Sequence, residues 1–409
     1  MTGALYWIGI NSYGLLLTLL APFHKKAGLL VRGRRESLSK IRQLNLGQQK
    51  SIWFHYSSLG EFEQGRPVME RARELWPQHP VIVTFYSPSG YEVRKNTPLA
   101  DHVFYLPSDS PSHARLLLRH FRPEAIIFTK YEYWPFYFRA IYRANIPLYI
   151  ISAIFRPQQA FFNWYGGFFR ETLACVTHFF TQNELSLYLL SSIGFENATL
   201  AGDTRFDRVI NLPSQAKSFP AINQFIAGQF CVVAGSTWSG DEKVLAAMLQ
   251  AQPDWKLVLA PHEIQESHLV EIEKLFPQAV RYSHYTAGGT QPNSSRVLII
   301  DNIGMLSSLY GYGDFAYIGG GFHAPGIHNT LEAAAYGVPV VFGPNYYKFD
   351  EARGLLNLGA ALSVEDELEL LVAADKLSDE DYRKDMGQKA AAFVQEHAGA
   401  TERICNYIK

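Results

Sequence analysis

The sequence predicts an α/β protein made of two Rossmann-like, doubly wound domains with an interdomain cleft. Three observations predict it. Short apolar runs alternate with helical patterns, and this alternation occurs twice along the chain. A softer stretch with two prolines, Asn211 to Gln229, separates the two series. The second series holds a strand–glycine–helix segment, Gly319 to Pro344 (GGGFHAPGIHNTLEAAAYGVPVVFGP), in which three glycines follow the apolar run Phe315–Ile318. The organisation read from this pattern is residues 1–35, 36–210, a linker at 211–229, and 230–409, with the last helices long enough to cross back to the first domain.

Residues 1–35 differ in character from the rest. Ala4 to Phe23 is mostly apolar, no Asp or Glu precedes Glu36, and Lys25, Lys26, Arg32, Arg34 and Arg35 follow the apolar run. A cleaved signal peptide carries its positive charge before the apolar region, and this segment does not. A membrane span needs about 20 apolar residues; the run has about that length, interrupted by Gly9, Asn11, Ser12 and Gly14. The expectation is a membrane-anchor helix, spanning or lying in the interface, with basic residues on the anionic cytoplasmic side.

In the first domain the expected strands are Ile52–Tyr56, Val81–Tyr86, His102–Tyr105, Ala125–Thr129, Leu148–Ser152 and His178–Gln182. Helices such as Val68–Leu75, with Pro67 near its start, and Ser112–Phe121 lie between them. In the second domain Phe230–Ala234, Lys256–Leu259, Val297–Ile300, Phe315–Ile318 and Val338–Phe342 read as strands. Asp241–Gln250, Glu266–Phe276, Ile303–Tyr310 and Thr330–Tyr336 read as helices. Strands alternating with helices imply parallel sheets covered on both faces, and ligands of such sheets bind beyond the carboxyl ends of the strands.

Composition narrows the function. A net charge of −1 argues against a nucleic-acid binder that relies on a basic field. Cys175, Cys231 and Cys405 are too far apart for a disulfide framework or a metal motif, which suits a reducing compartment. There is no GKS/T phosphate loop and no G-x-S-x-G.

The residues with chemical potential all fall at strand ends. Gly60 and Glu61 follow the first strand; Gly60 permits a tight turn or the close approach of a ligand, and Glu61 in the first helical turn is placed to act as a general base. Ser58 and Glu61 also fit a plain capping box. Glu132 follows the fourth strand and supplies a second carboxylate. In the second domain Gly235-Ser236-Thr237, Pro261-His262, Ile303-Gly304-Met305, Gly320 and Asn329-Thr330-Leu331-Glu332 offer small, polar or amide-rich loops to a phosphate-bearing ligand. Asn329 and Glu332 equally fit a capping box. The division suggests a nucleotide-activated donor on the second domain and a hydroxyl acceptor on the first.

The ordered set of motifs resembles the 3-deoxy-D-manno-octulosonic acid (Kdo) transferases, inverting GT-B glycosyltransferases that attach Kdo from CMP-Kdo to lipid A precursors. The resemblance runs nearly end to end. It rests on the apolar amino-terminal segment followed by Val31-Arg32-Gly33-Arg34, Ser58-x-Gly60-Glu61, Glu132-x-Trp134-Pro135, Gly235-Ser236-Thr237, Ala260-Pro261, Asp301 with Gly304, Gly326-x-His328-Asn329-x-Leu331-Glu332 and Gly343-Pro344. It implies that Glu61 is the general base, that Glu132 lies in the active site and that no metal or cofactor is required. It further implies that Pro261-His262, Ile303–Met305 and Asn329–Glu332 hold CMP, on the cytoplasmic face of the bacterial inner membrane.

The chain departs from the family in three places. Pro261-His262-Glu263 stands where the family has Pro-Arg-His, Lys130-Tyr131-Glu132 where it has Glu-Thr-Glu, and Ser152-Ala153-Ile154 where it has Asn-Ala-Arg. Lys130 or Arg156 would then supply the missing positive charge, and removing either would raise the donor KM. Two other readings fit the same pattern: a GT-B enzyme that takes a UDP-sugar, and a non-catalytic membrane-bound nucleotide-sugar binder.

Overall fold

The computed structural model describes residues 2–287 and 295–409. Among them, two seven-stranded parallel sheets form, each in its own compact unit. The first unit holds residues 1–208 with 398–409, and the second holds 209–397.

The first sheet contains β1 (Ser51–Tyr56), β2 (Val81–Phe85), β3 (His102–Tyr105), β4 (Pro123–Thr129), β5 (Leu148–Ala153), β6 (His178–Thr181) and β7 (Ala198–Leu200), in the order β3-β2-β1-β4-β5-β6-β7. The second contains β8 (Cys231–Thr237), β9 (Lys256–Pro261), β10 (Val280–Arg281), β11 (Val297–Ile299), β12 (Phe315–Ile318), β13 (Val340–Phe342) and β14 (Ala361–Ser363), in the order β10-β11-β9-β8-β12-β13-β14. Central strands such as β1, β2 and β12 are buried on both faces, which is why they read as continuous apolar runs.

Before the first sheet come α1 (Thr2–Leu20) and α2 (Lys25–Gln43). His24 caps α2 through its Nδ1, which accepts from the Ala27 N–H. After β1 comes α3 (Leu59–Leu75). This helix starts well before the expected Val68, so Pro67 sits in its interior rather than near its start. The polar residues of the extra turns hold it together: Arg66 pairs with Glu70 at 2.8 Å, and Glu63 meets Arg94 and Arg208.

Other expectations are corrected in detail. Gly235-Ser236-Thr237 does not follow its strand but forms the bulged end of β8, with Ser236 at φ 57°. The helix expected from Ile303 begins at Leu306, because Gly304 at φ 97° keeps the preceding residues in a loop. The stretch 211–229 carries two short helices, Leu212–Gln215 and Pro220–Ile226, and Ile222 and Phe225 of the latter are buried. The last helix, Ala400–Ile408, packs on α3 in the first unit, with Ile404, Cys405 and Ile408 in its core. All three cysteines are buried and free.

Candidate active site

In the first sheet the order of winding reverses between β1 and β4. Crossovers leave to opposite sides there, so the carboxyl ends of these two strands open a crevice. Glu61 follows β1 and Glu132 follows β4.

Ser58 caps α3 with extended backbone, but its hydroxyl makes no cap bond. Glu61 Oε2 accepts from the Ser57 N–H at 2.5 Å, and the Ser58 N–H also bonds this carboxylate. Only the carboxylate half of the expected capping box forms. Burial, and next the charge of Glu132, push Glu61 up to about 7; the Ser57 N–H, Lys130 and the Ser58 N–H pull the other way. Gly60 is the second residue of α3, without a positive φ, so the expected tight turn is absent. A Cβ there would meet only Ser58 Oγ, at 4.0 Å, so its lack of a side chain leaves open space over the helix start.

Glu132 faces His55. The imidazole is fully buried, its Nδ1 lies 2.8 Å from Thr84 Oγ1, and its Nε2 lies 3.6 Å from Glu132 Oε2. That gap exceeds hydrogen-bond range, and among the described residues neither Nε2 nor Oε2 has a hydrogen-bond partner. Lys130 leaves β4 at φ 63°, close enough to lower Glu61 by its charge. Arg156 is exposed on the loop after β5.

In the second sheet the reversal falls between β8 and β12. Asp241, in the first turn of the helix Ser239–Ala251, ties this point together. Its wholly buried carboxylate accepts from the Trp238 N–H at 2.9 Å, the Gly320 N–H at 2.9 Å and the Tyr317 hydroxyl at 3.0 Å. The glycine triplet is therefore not a free row of amides. Gly319 donates to the Gly235 carbonyl, and Gly320 donates to Asp241. The residues are glycines because backbones cross: a Cβ on Gly319 would lie 2.3 Å from the Ser236 carbonyl oxygen, and one on Gly321 would lie 2.4 Å from Gly343 Cα.

Above that crossing sits a cluster of rings. Trp238 stacks on His262 at 4.7 Å between centroids, His262 stacks on His328 at 4.4 Å, and His323 lies 5.1 Å from Trp238. Trp238 Nε1–H donates to His328 Nε2 at 3.2 Å. Burial first, then the neighbouring His262 and His323, pull His328 down to about 4, which keeps Nε2 an acceptor at neutral pH.

The helix expected from Asn329 runs from Leu331 to Ala335. Asn329 Oδ1 accepts from the Leu331 N–H at 3.1 Å, and its amide donates to Glu332 Oε1 at 3.2 Å. Glu332 thus bonds a side chain here, where a capping box would turn it to the backbone. Of the expected ligand residues, Ser236, His262, Ile303, Gly304, Asn329 and Glu332 keep accessible surface, whereas Gly235, Thr237, Pro261, Met305, Gly320, Thr330 and Leu331 are buried. The Thr237 hydroxyl is occupied by Glu242 Oε1 at 3.1 Å. Sequence reasoning missed Trp238 and Asp241. Their signal was an acid three residues into the helix, the spacing of a cap.

Residues 32–208 match the family model described as 3-deoxy-D-manno-octulosonic-acid transferase (kdotransferase). Proteins named 3-deoxy-D-manno-octulosonic acid transferase align with nearly the whole chain. That of Bordetella pertussis is 28% identical over 88% of this chain and 86% of its own. That of Haemophilus influenzae is 24% identical over 88% and 87%. The chain is similar to Kdo transferases along most of its length. Two solved structures share this fold. UDP-GlcNAc 2-epimerase from Neisseria meningitidis has a TM-score of 0.63 at 15% identity, covering 88% of this chain and 99% of its own. Acinetobacter baumannii MurG has a TM-score of 0.54 at 12% identity, with the same coverage. The fold is GT-B.

Proposed function

We propose that this protein is a Kdo transferase that moves Kdo from CMP-Kdo to a hydroxyl of a lipid A precursor, with Glu61 as general base. The observation that carries the reading is the state of Glu61. A carboxylate raised to about 7, held by the Ser57 N–H at a strand-end crevice, is matched to proton abstraction near neutral pH. Glu61 takes the acceptor hydroxyl proton as that oxygen bonds to the anomeric carbon of Kdo. The bond from that carbon to the phosphate oxygen breaks, and CMP leaves with the electron pair.

Glu132 raises the basicity of Glu61 by its charge. Donor binding falls to the exposed polar set of the second unit, with His262 stacked over Trp238 to meet a planar base or an anion. The amino-terminal helix α1, with the basic residues after it, holds the enzyme to the cytoplasmic face of the inner membrane, where the lipid acceptor resides.

The test is incubation of the purified full chain with CMP-Kdo and tetraacylated lipid A precursor, read by mass spectrometry. Product heavier by one or more Kdo residues is expected, and it should vanish in Glu61→Gln. Protection against thermal unfolding by CMP but not UDP separates this reading from a UDP-sugar enzyme.

A further inference from the structure

We infer that the first unit meets the membrane at two points, α1 lying in the interface plane and the rigid loop tip Trp164-Tyr165. This rests on the membrane placement of α1 proposed above.

α1 has two faces. Gly3, Tyr6, Ile10, Gly14 and Leu17, spaced three and four apart, are half-buried against the unit. The Tyr6 hydroxyl donates to Asp109 Oδ2 at 2.9 Å, its ring lies 5.6 Å from Phe136 and 5.8 Å from Phe168, and Leu17 joins the core. The other face carries Leu5, Ile8, Leu15, Leu16 and Leu19, with Phe23 89% exposed just beyond the helix. Helix length does not decide between spanning and lying, since 19 residues reach about 28 Å at 1.5 Å each. Docking decides it. A spanning helix would leave Asp109 and surrender the Tyr6 contacts, whereas a helix lying flat keeps them and buries only its outward face in lipid.

The second point adjoins the start of α1. Phe168, which touches Tyr6, leads through Phe169 to a loop whose tip exposes Trp164 (91%) and Tyr165 (56%). These rings are not on a loose loop. Arg170 donates to the carbonyls of Phe161 and Asn163, and Gly166 sits so close that a Cβ would lie 2.1 Å from the Ala160 carbonyl oxygen. Exposed Trp and Tyr on a braced tip suit the headgroup level of a bilayer, where an apolar body and a polar edge are both solvated. The charges agree. The helix is followed by exposed Lys25 and Lys26 with no acid before Glu36, a match for anionic lipid. The base of the same loop is anchored in the core, where Phe161 packs 5.1 Å from Tyr133.

The experiment is flotation of the full chain with 3:1 phosphatidylcholine–phosphatidylglycerol vesicles, compared with Trp164→Ser/Tyr165→Ser and with Leu16→Glu/Leu19→Glu. Each pair should weaken vesicle binding at least about fivefold with the unfolding midpoint unchanged. In a separate arm, Trp164→Phe should keep binding but lose a large part of the tryptophan quenching by brominated lipid. The inference is overturned if the loop pair binds within twofold of wild type or if Trp164→Phe leaves quenching unchanged. It is also overturned if the loop pair abolishes self-association instead of lipid binding. If only the α1 pair loses binding, the loop is not a contact but the membrane reading stands; vesicle binding without Kdo transfer would instead count against the proposed activity alone.

Discussion

Glu61 Oε2 lies 2.5 Å from the backbone nitrogen of Ser57, so the carboxylate that closes the first turn of α3 is held by the strand end it faces. The bond fixes its direction while burial and Glu132 keep it from ionising early. That balance has a stability consequence with a definite sign. Folding raises Glu61 from 4.5 to about 7, so the folded state holds a proton that the unfolded chain has released between those values, and stability falls as pH rises through that window. Glu61→Gln should match wild type below pH 4.5 and exceed it above pH 7, by about 3 kcal/mol at most. Urea unfolding at pH 4.5 and pH 8 reads this; a difference independent of pH would refute it.

Gly321→Ala should destabilise the second unit by about 2–4 kcal/mol, because its Cβ would meet backbone at Gly343 that cannot swing aside. Gly60→Ala, where a Cβ meets open space, should leave stability nearly unchanged. Thermal melts of the two variants test the contrast. Equal behaviour would mean that the glycine crossing is not what requires glycine.

Asp241→Ala should cost about 3 kcal/mol, since it leaves the Gly320 and Trp238 N–H groups and the Tyr317 hydroxyl buried without an acceptor. Tyr317→Phe removes only one of those bonds and should cost about 1 kcal/mol. Chemical denaturation distinguishes them, and a Tyr317→Phe loss as large as that of Asp241→Ala would contradict the network.

Asp207 holds the last helix. It accepts from the Gly399 N–H, and its Oδ2 accepts from the Thr401 N–H and hydroxyl at 2.6 Å each. Asp207→Ala should release residues 398–409 from α3 and expose them to carboxypeptidase. Cleavage no faster than wild type would show that Ile404 and Ile408 alone secure the helix.

The strands were legible wherever both faces are buried, as at Ile52–Tyr56 and Phe315–Ile318, because burial leaves a continuous apolar run. The edge strands Ala198–Leu200, Val280–Arg281 and Ala361–Ser363 were not, being two or three residues long and exposed in part. Pro67 misled the reading of α3, since a proline normally opens a helix. At the candidate site, the positions of Glu61 and Glu132 followed from their places just after the first and fourth strands. What local sequence could not carry is what each group touches. The amides of Gly319 and Gly320, read as free for phosphate, are used by Gly235 and Asp241, and the hydroxyl of Thr237 is used by Glu242. Such partners come from other strands, and a capping pattern at Asn329 and Glu332 does not reveal whether the carboxylate turns to backbone or side chain.

The most direct test of Glu61 as base is the rate of Kdo transfer from CMP-Kdo to the lipid A precursor, measured for wild type and Glu61→Gln alongside CMP affinity. The account predicts turnover by wild type and a loss of about 10²–10⁴-fold in kcat for the variant, with the CMP Kd changed less than threefold. Turnover by Glu61→Gln within tenfold of wild type would contradict it.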